Sequence, residues 1–255
     1  MLRQKGARLV KRRKYVASVR EPVQGSRAQW PLPPEDLRYR VGGTRDEEEF
    51  RALGGWCRDS IIAALTGVGR EFATFGQILD FGSGCGRTLL AFAEVDLLSR
   101  FHATDIDAEA VGWCCEHLLL ASCSVNDALP PLAHPMGAFD LIYTVSVFTH
   151  LDEERQFRWL QELHRLTRPG GLVVLSVHGA HCREVMVPER VAEIERAGFL
   201  FVISDDFAGL YPDWYQMTFH SESYVREHFG RDFDILAYLP QGMANYQDLV
   251  VLRRR

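Results

Sequence analysis

The chain has 255 residues, a formal net charge of −5, 47% apolar residues and 25% charged ones. That profile belongs to a globular protein able to bury a core without disulfides or a structural metal, and it excludes disordered, collagen-like and disulfide-stapled chains. No run approaches the roughly 20 apolar residues of a membrane span, and no apolar core follows the charged start as it would in a secretory signal. Six cysteines show no CxxC spacing, and Cys114 and Cys115 are adjacent. Reduced thiols in a cytoplasmic protein are therefore expected.

Taken in chain order, residues 1–20 carry Arg3, Lys5, Arg8, Lys11, Arg12, Arg13, Lys14 and Arg20 and no acidic residue. The 21 basic residues that remain face 34 acidic ones, a formal −13. The first segment reads as a basic arm, either a solvated extension or a strip for an acidic surface. So acidic a body argues against a broad nucleic-acid interface, where phosphate neutralisation dominates affinity. Trp30-Pro31-Leu32-Pro33-Pro34 predicts a stiff connector and Val41-Gly42-Gly43 a break. The expected division is an arm and connector over 1–40 and a domain over 41–255, with a cap-like insertion at about 180–230.

Helical spacing of Phe50, Leu53, Trp56, Ile61 and Leu65 predicts a helix over 46–65. Strands are then expected at 77–81, 101–105, 123–125, 139–145 and 172–177, with helices at 87–95, 108–120 and 152–166 between them. Arg168-Pro169-Gly170-Gly171 is expected to end the last of these helices. A helix at 189–197 leads into an aromatic-rich stretch over 199–219, and Ser221 reads as the cap of a short helix through 229. Strands at 233–239 and 248–252 close the chain around a short loop and are expected to pair antiparallel. Strand–helix alternation of this kind predicts a doubly wound α/β sheet with right-handed crossovers.

The chemistry concentrates in Asp80-Phe81-Gly82-Ser83-Gly84-Cys85-Gly86, where a strand gives way to a helix. Glycines there let a ligand approach the backbone, and a helix start supplies N–H groups. A dinucleotide fingerprint would place its third glycine at position 87, which is Arg87. The next strand ends in Thr104-Asp105-Ile106-Asp107. A carboxylate at that position can accept both hydroxyls of a ribose, and Ile106 can pack on an adenine face. Asp105 and Asp107 are equally good helix caps by type.

With Asn126-Asp127-Ala128, Phe139-Asp140-Leu141-Ile142-Tyr143 and Arg168-Pro169-Gly170-Gly171 following in order, the chain resembles the class I S-adenosylmethionine-dependent methyltransferases over residues 76–178. The resemblance implies a seven-stranded Rossmann-like sheet whose last strand is antiparallel. It also implies S-adenosylmethionine as cofactor. On that resemblance Gly82, Gly84 and Gly86 hold the methionine portion and Asp80 its amino group. Asp105 takes the ribose, Asp127 the adenine amino group, and Ser146 lines the methionine end.

Ligands of such sheets bind outside the carboxyl ends of the strands, where Phe148-Thr149-His150 and His178-Gly179 lie. His150 and then His178 are the candidate general bases. Tyr215 and His220, from the aromatic stretch, are candidate acceptor contacts beneath a lid. The sequence lacks the Asn/Asp-Pro-Pro-aromatic tetrad of amino-methylating nucleic-acid enzymes, and no clear catalytic metal set is present. The expectation is metal-independent O-methylation of a small molecule or glycan. N-methylation of a small amine and a non-catalytic cofactor-binding module are the alternatives.

Overall fold

The computed structural model describes residues 30–96, 98–205 and 211–255. The expected basic arm and part of the aromatic stretch lie outside the described residues. The chain builds a seven-stranded sheet in the order β3-β2-β1-β4-β5-β9-β8. These strands are β1 Ile78–Phe81, β2 Phe101–Asp105, β3 Ser122–Val125, β4 Phe139–Thr144, β5 Thr167–Val177, β8 Phe233–Met243 and β9 Gln247–Arg254. Neighbours from β3 through β5 pair parallel, whereas β9 runs antiparallel to both β5 and β8. The strand order reverses beside β1, which places the crevice outside the ends of β1 and β4.

Side chains alternate between the two faces of the sheet, as the period of a strand demands. Ile78, Leu141, Tyr143, Leu172, Val174, Leu249 and Val251 enter one cluster. Leu79, Phe81, Ile142, Val173, Leu175, Val250 and Leu252 enter the other. The first face is covered by α2 Glu47–Gly67, α3 Arg87–Phe92 and α4 Ala108–His117, and the second by α5 Glu153–Leu166 and α7 Glu222–Phe229. Burying each such side chain contributes roughly 1.5–3 kcal/mol. The helix starts are fixed by side-chain caps: Asp46 accepts from the Glu49 N–H, Asp107 from Glu109 and Ala110, Asp152 from Arg155, and Ser221 from Tyr224.

Three elements depart from the expectation. The segment expected to be connector and break carries α1, Glu35–Gly42, which crosses residue 40 and ends at Gly43 in the left-handed region. Its Leu37 is buried in the first cluster, and buried Arg38 donates to the Pro33 and Arg45 carbonyls. Residues 168–171, expected as a helix stop, lie inside β5, because α5 already ends at Leu166. The closing loop is shorter than expected, since β8 runs on through Pro240 to Met243; an edge strand tolerates a proline.

Between β5 and β8 the chain forms a smaller unit. α6, Pro188–Ala197, precedes β6 Phe199–Val202, which pairs antiparallel with β7 Met217–His220. Cys182, Ile194, Leu200 and Phe219 form its own small cluster. A bridge between His178 and Phe219 joins it to the end of β5. Among the described residues no helix is long and apolar enough to cross a membrane.

Candidate active site

β1 ends at Phe81 and α3 begins at Arg87, so Gly82–Gly86 spans the turn between them. Gly82 and Gly84 have φ of 81° and 52°, a region that side chains with a Cβ resist. A Cβ on Gly82 would lie 2.2 Å from Val147 Cγ2, and one on Gly84 2.7 Å from Val41 Cγ1. The loop is thus pressed between the segment after β4 and helix α1. Its N–H groups are largely committed within the protein. Those of Gly82 and Ser83 donate to the Thr104 carbonyl at 2.8 and 3.1 Å, and that of Gly86 to Ser83 at 3.0 Å.

Two carboxylates flank the loop. Asp80 is buried on β1, and its Oδ2 accepts from the Tyr143 hydroxyl at 2.9 Å. Burial pushes its carboxyl up to about 8; Asp105 adds to the rise, while the Tyr143 hydrogen bond and the Arg87 cation oppose it. Asp105, at the end of β2, accepts from the Gly84 N–H at 2.7 Å and from the Asp107 N–H at 2.8 Å. Burial raises its pKa against those backbone hydrogen bonds. Sequence type left Asp105 and Asp107 as rival caps. The structure makes Asp107 the cap of α4, so Asp105 is committed to the glycine loop instead.

Helix α1 reaches the same place from outside. Arg40 pairs with Asp107 at 2.6 Å and Glu109 at 2.7 Å, and its carbonyl accepts the Tyr211 hydroxyl. Ile106 and Asp127 are both exposed, Ile106 at 37%. Asn126, between β3 and Asp127, accepts from the Thr104 hydroxyl at 2.9 Å and donates to the Asp127 carbonyl at 2.8 Å.

Across the crevice, Ser146 follows β4 with φ of 61°, a strained value for serine. Its N–H donates to the Ser176 hydroxyl at 2.8 Å, and its own hydroxyl exchanges hydrogen bonds with the Gln247 amide. Gln247 Nε2 also faces His178 Nε2 at 3.4 Å, while His178 Nδ1 donates to the Thr218 carbonyl at 3.0 Å. Both ring nitrogens of His178 are therefore engaged by the protein, and burial lowers its pKa to about 4.

His150 keeps some surface open to solvent. Its Nδ1 donates to the Gln216 carbonyl at 3.1 Å, so Nε2 carries the lone pair of the neutral ring. Burial, reinforced by His178, pushes its pKa down to about 3. Tyr215 stacks on His150 with centroids 4.1 Å apart, and Tyr211 stacks on Tyr215 at 4.3 Å. Burial holds the Tyr215 phenol well above its usual range; Tyr211 and Asp105 raise it further and Arg87 opposes them. This ring stack therefore lies against the glycine-loop side of the crevice. His220, by contrast, is fully buried, with Nε2 donating to Gln156 Oε1 at 2.9 Å. Its place in the expected acceptor set is corrected: β7 carries it into the core.

The glycines let the loop pack against Val147 and Val41, and Asp80 and Asp105 flank it at the ends of two neighbouring parallel strands, where such sheets bind their ligands. Residues 78–171 match the family model of a methyltransferase domain. Residues 78–171 therefore carry a methyltransferase domain. The chain is similar in fold to a protein from Pyrococcus horikoshii, at 17% identity and a TM-score of 0.54 over 77% of this chain and 91% of that one. It is also similar to an S-adenosylmethionine-dependent methyltransferase from Mesorhizobium loti, at 17% identity and 0.53 over 76% and 98% of the two chains. A glycopeptide N-methyltransferase solved with S-adenosylhomocysteine gives 14% identity and 0.52 over 78% and 90%. Arg40 was not among the expected site residues and has no local pattern to mark it, whereas Tyr143, Tyr211 and Gln247 stand in segments the sequence had marked without being assigned a contact.

Proposed function

We propose that the enzyme methylates a hydroxyl of a small molecule or sugar without a metal ion. The observation that carries this reading is the Tyr211–Tyr215–His150 stack, a column of nearly parallel rings that ends in a neutral imidazole with its tautomer fixed by the Gln216 carbonyl. A neutral imidazole can accept the proton of a hydroxyl, which an oxygen acceptor must lose on methylation. S-adenosylmethionine supplies, when bound, an electrophilic methyl group on a sulfonium sulfur. Transfer of that methyl group to the acceptor oxygen would leave the hydroxyl proton to be taken by His150.

In this reading Gly82, Gly84 and Gly86 shape the bed of the methionine portion, Asp80 faces its ammonium, and Ser146 lines its far end. Asp105 accepts from the ribose diol through lone pairs not used by the Gly84 and Asp107 N–H groups. Ile106 and Asp127, both at the surface rim, flank the adenine. His150 orients the acceptor hydroxyl and is the first candidate to take its proton. His178 comes second, since Gln247 must first release its Nε2. Tyr215 lines the acceptor space. The protein's contribution is mostly positioning and exclusion of water. α1 together with the cap residues at about 180–230 would then form the cover of one catalytic domain. All six cysteines are free, which supports a reducing, cytoplasmic setting.

A tritiated-methyl transfer screen over hydroxylated glycosides, amines and lipids tests the acceptor class; transfer to amines alone would refute O-methylation. His150→Ala is expected to lower kcat/KM by about a hundred- to ten-thousandfold, the scale of one positioned acid–base group, with S-adenosylhomocysteine affinity unchanged. Intact turnover would remove His150 from the acceptor side. Arg40→Ala is expected to speed release of S-adenosylhomocysteine in stopped flow. The same change should lower stability by only about 1 kcal/mol, because the ion pairs it breaks are partly exposed.

A further inference from the structure

His178 follows β5 at a junction of three strands. β9 runs antiparallel to β5 with Asp248 opposite Val177, and Phe219 of β7 forms a bridge with His178 itself. On the β9 side the junction is locked by a buried carboxylate. Asp248 Oδ2 accepts from the Tyr238 hydroxyl at 2.6 Å, and Oδ1 accepts from the Gln241 N–H at 2.9 Å. A Cβ at position 179 would lie 1.6 Å from Asp248 Oδ2, so glycine there lets the chain close around that carboxylate. The residues just before Gly179 and Asp248, His178 and Gln247, are therefore held side by side.

The chemistry of His178 sets which way the Gln247 amide turns. The Thr218 carbonyl can only accept, so His178 Nδ1 carries the proton and Nε2 the lone pair. A lone pair needs a donor, and Gln247 Nε2 stands opposite it at 3.4 Å. The same nitrogen donates to Ser146 Oγ at 2.8 Å, and Oε1 accepts from that hydroxyl at 3.1 Å. Buried Gln247 thus uses its amide N–H groups on two sides, one toward Ser146 and one toward His178. Beyond it, the His178 and His150 rings meet edge to face with centroids 6.1 Å apart. A continuous line of contacts runs from Ser146 through Gln247 and His178 to His150.

We propose that Gln247 is a positioning residue, which holds the His178 ring, and through it the His150 ring, at a fixed place relative to Ser146. This rests on the reading of His150 as the group that meets the acceptor hydroxyl. In this role Gln247 touches neither methyl donor nor acceptor; it acts by fixing the tautomer and the plane of the His178 ring. Without it His178 keeps one anchor, the Thr218 carbonyl, and the His150 ring loses a rigid neighbour. A displacement of about 1 Å at a reacting group can cost on the order of a hundredfold in rate. Leucine in place of Gln247 would leave the Nε2 lone pair unmet, whereas a carboxylate would draw a proton onto it. The two substitutions should therefore act differently on His178.

Imidazole NMR of the full chain, labelled at histidine, reads this directly, with His178→Asn and His150→Asn assigning the two rings. The wild-type chain is expected to show His178 with its proton on Nδ1. Gln247→Leu is expected to shift the His178 Nε2 signal and to mix the tautomers. Gln247→Glu is expected to raise the His178 pKa from about 4 by about one pH unit or more, since a facing carboxylate favours the imidazolium. In the tritiated-methyl assay Gln247→Leu should lower kcat about ten- to a hundredfold, with the KM for S-adenosylmethionine kept within about threefold. Thermal melts report whether each variant keeps its fold. A His178 signal unchanged in both variants, or an unchanged kcat in Gln247→Leu, would overturn the proposal. If instead His150→Ala turns over normally, the base reading falls, and the His178 spectra still decide whether Gln247 holds that ring.

Discussion

Replacing Asp105 by alanine is expected to weaken S-adenosylhomocysteine binding by about 3 kcal/mol or more and to destabilise the unliganded protein as well. Hydrogen bonds to a charged group are worth about 1.5–3 kcal/mol each, which sets the scale for losing a ribose contact. The structure adds a second loss. The same carboxylate accepts from the Gly84 and Asp107 N–H groups, at 2.7 and 2.8 Å. Alanine leaves both donors without that acceptor, and an unsatisfied buried donor costs about 1–3 kcal/mol. The glycine loop should then lose its register against β2, so the methionine end of the site is disturbed along with the ribose end. Calorimetry and thermal melts together check this, with the midpoint expected to fall by roughly 2–4 °C per kcal/mol for a chain of this size. Asp107→Ser is the comparison variant: serine keeps the α4 cap, so it isolates loss of the Arg40 ion pair from loss of the Asp105 carboxylate. A variant of Asp105 that melts lower yet binds normally would show that the carboxylate only holds the loop.

The sequence carries Asp105 as one of two equivalent carboxylates, and only the fold separates them. Its partner Gly84 stands on a different strand connection, brought close by parallel pairing of β1 with β2. What is legible beforehand is local: the alternation of apolar residues along β4 and β5, the helical spacing in α2, the caps at Asp152 and Ser221, and the glycine run itself. What is not legible depends on distant partners. Helix α1 has weak local signals, with prolines before it and two glycines at its end. Its order comes from burying Leu37 and from Arg38 bridging the Pro33 and Arg45 carbonyls. The lid is similar. His150 meets Tyr215 and Gln216 across more than sixty residues of chain, so periodicity gives no warning of the stack. The histidines illustrate the cost of reading residue type alone. His150, His178 and His220 all suit base chemistry by type, and their carbonyl and amide partners are what sort them.

Asp80→Asn is expected to stabilise the unliganded protein while weakening the cofactor, and the pH dependence of both effects identifies the cause. The ordinary pKa of the carboxyl is 3.8, and burial pushes it to about 8 in the fold. Between those values the folded state holds a proton that the unfolded state has released. Stability conferred on the folded state therefore falls as pH rises through that window, at up to about 1.4 kcal/mol per pH unit. Asparagine can still accept from the Tyr143 hydroxyl but has no proton to lose. Its melting point should match the wild type near pH 4 and exceed it increasingly toward pH 8. Cofactor binding should show the reverse trend. An ammonium facing Asp80 favours the ionised carboxylate, so wild-type affinity should rise with pH until about 8 and then level. The asparagine variant should lose that rise and bind S-adenosylhomocysteine about ten- to a hundredfold more weakly at the upper end. Proton release measured by calorimetry in buffers of different ionisation enthalpy separates this from a structural effect. If wild-type affinity does not change between pH 6 and 8, Asp80 does not carry the ammonium, and its burial serves only to anchor Tyr143 beneath the loop.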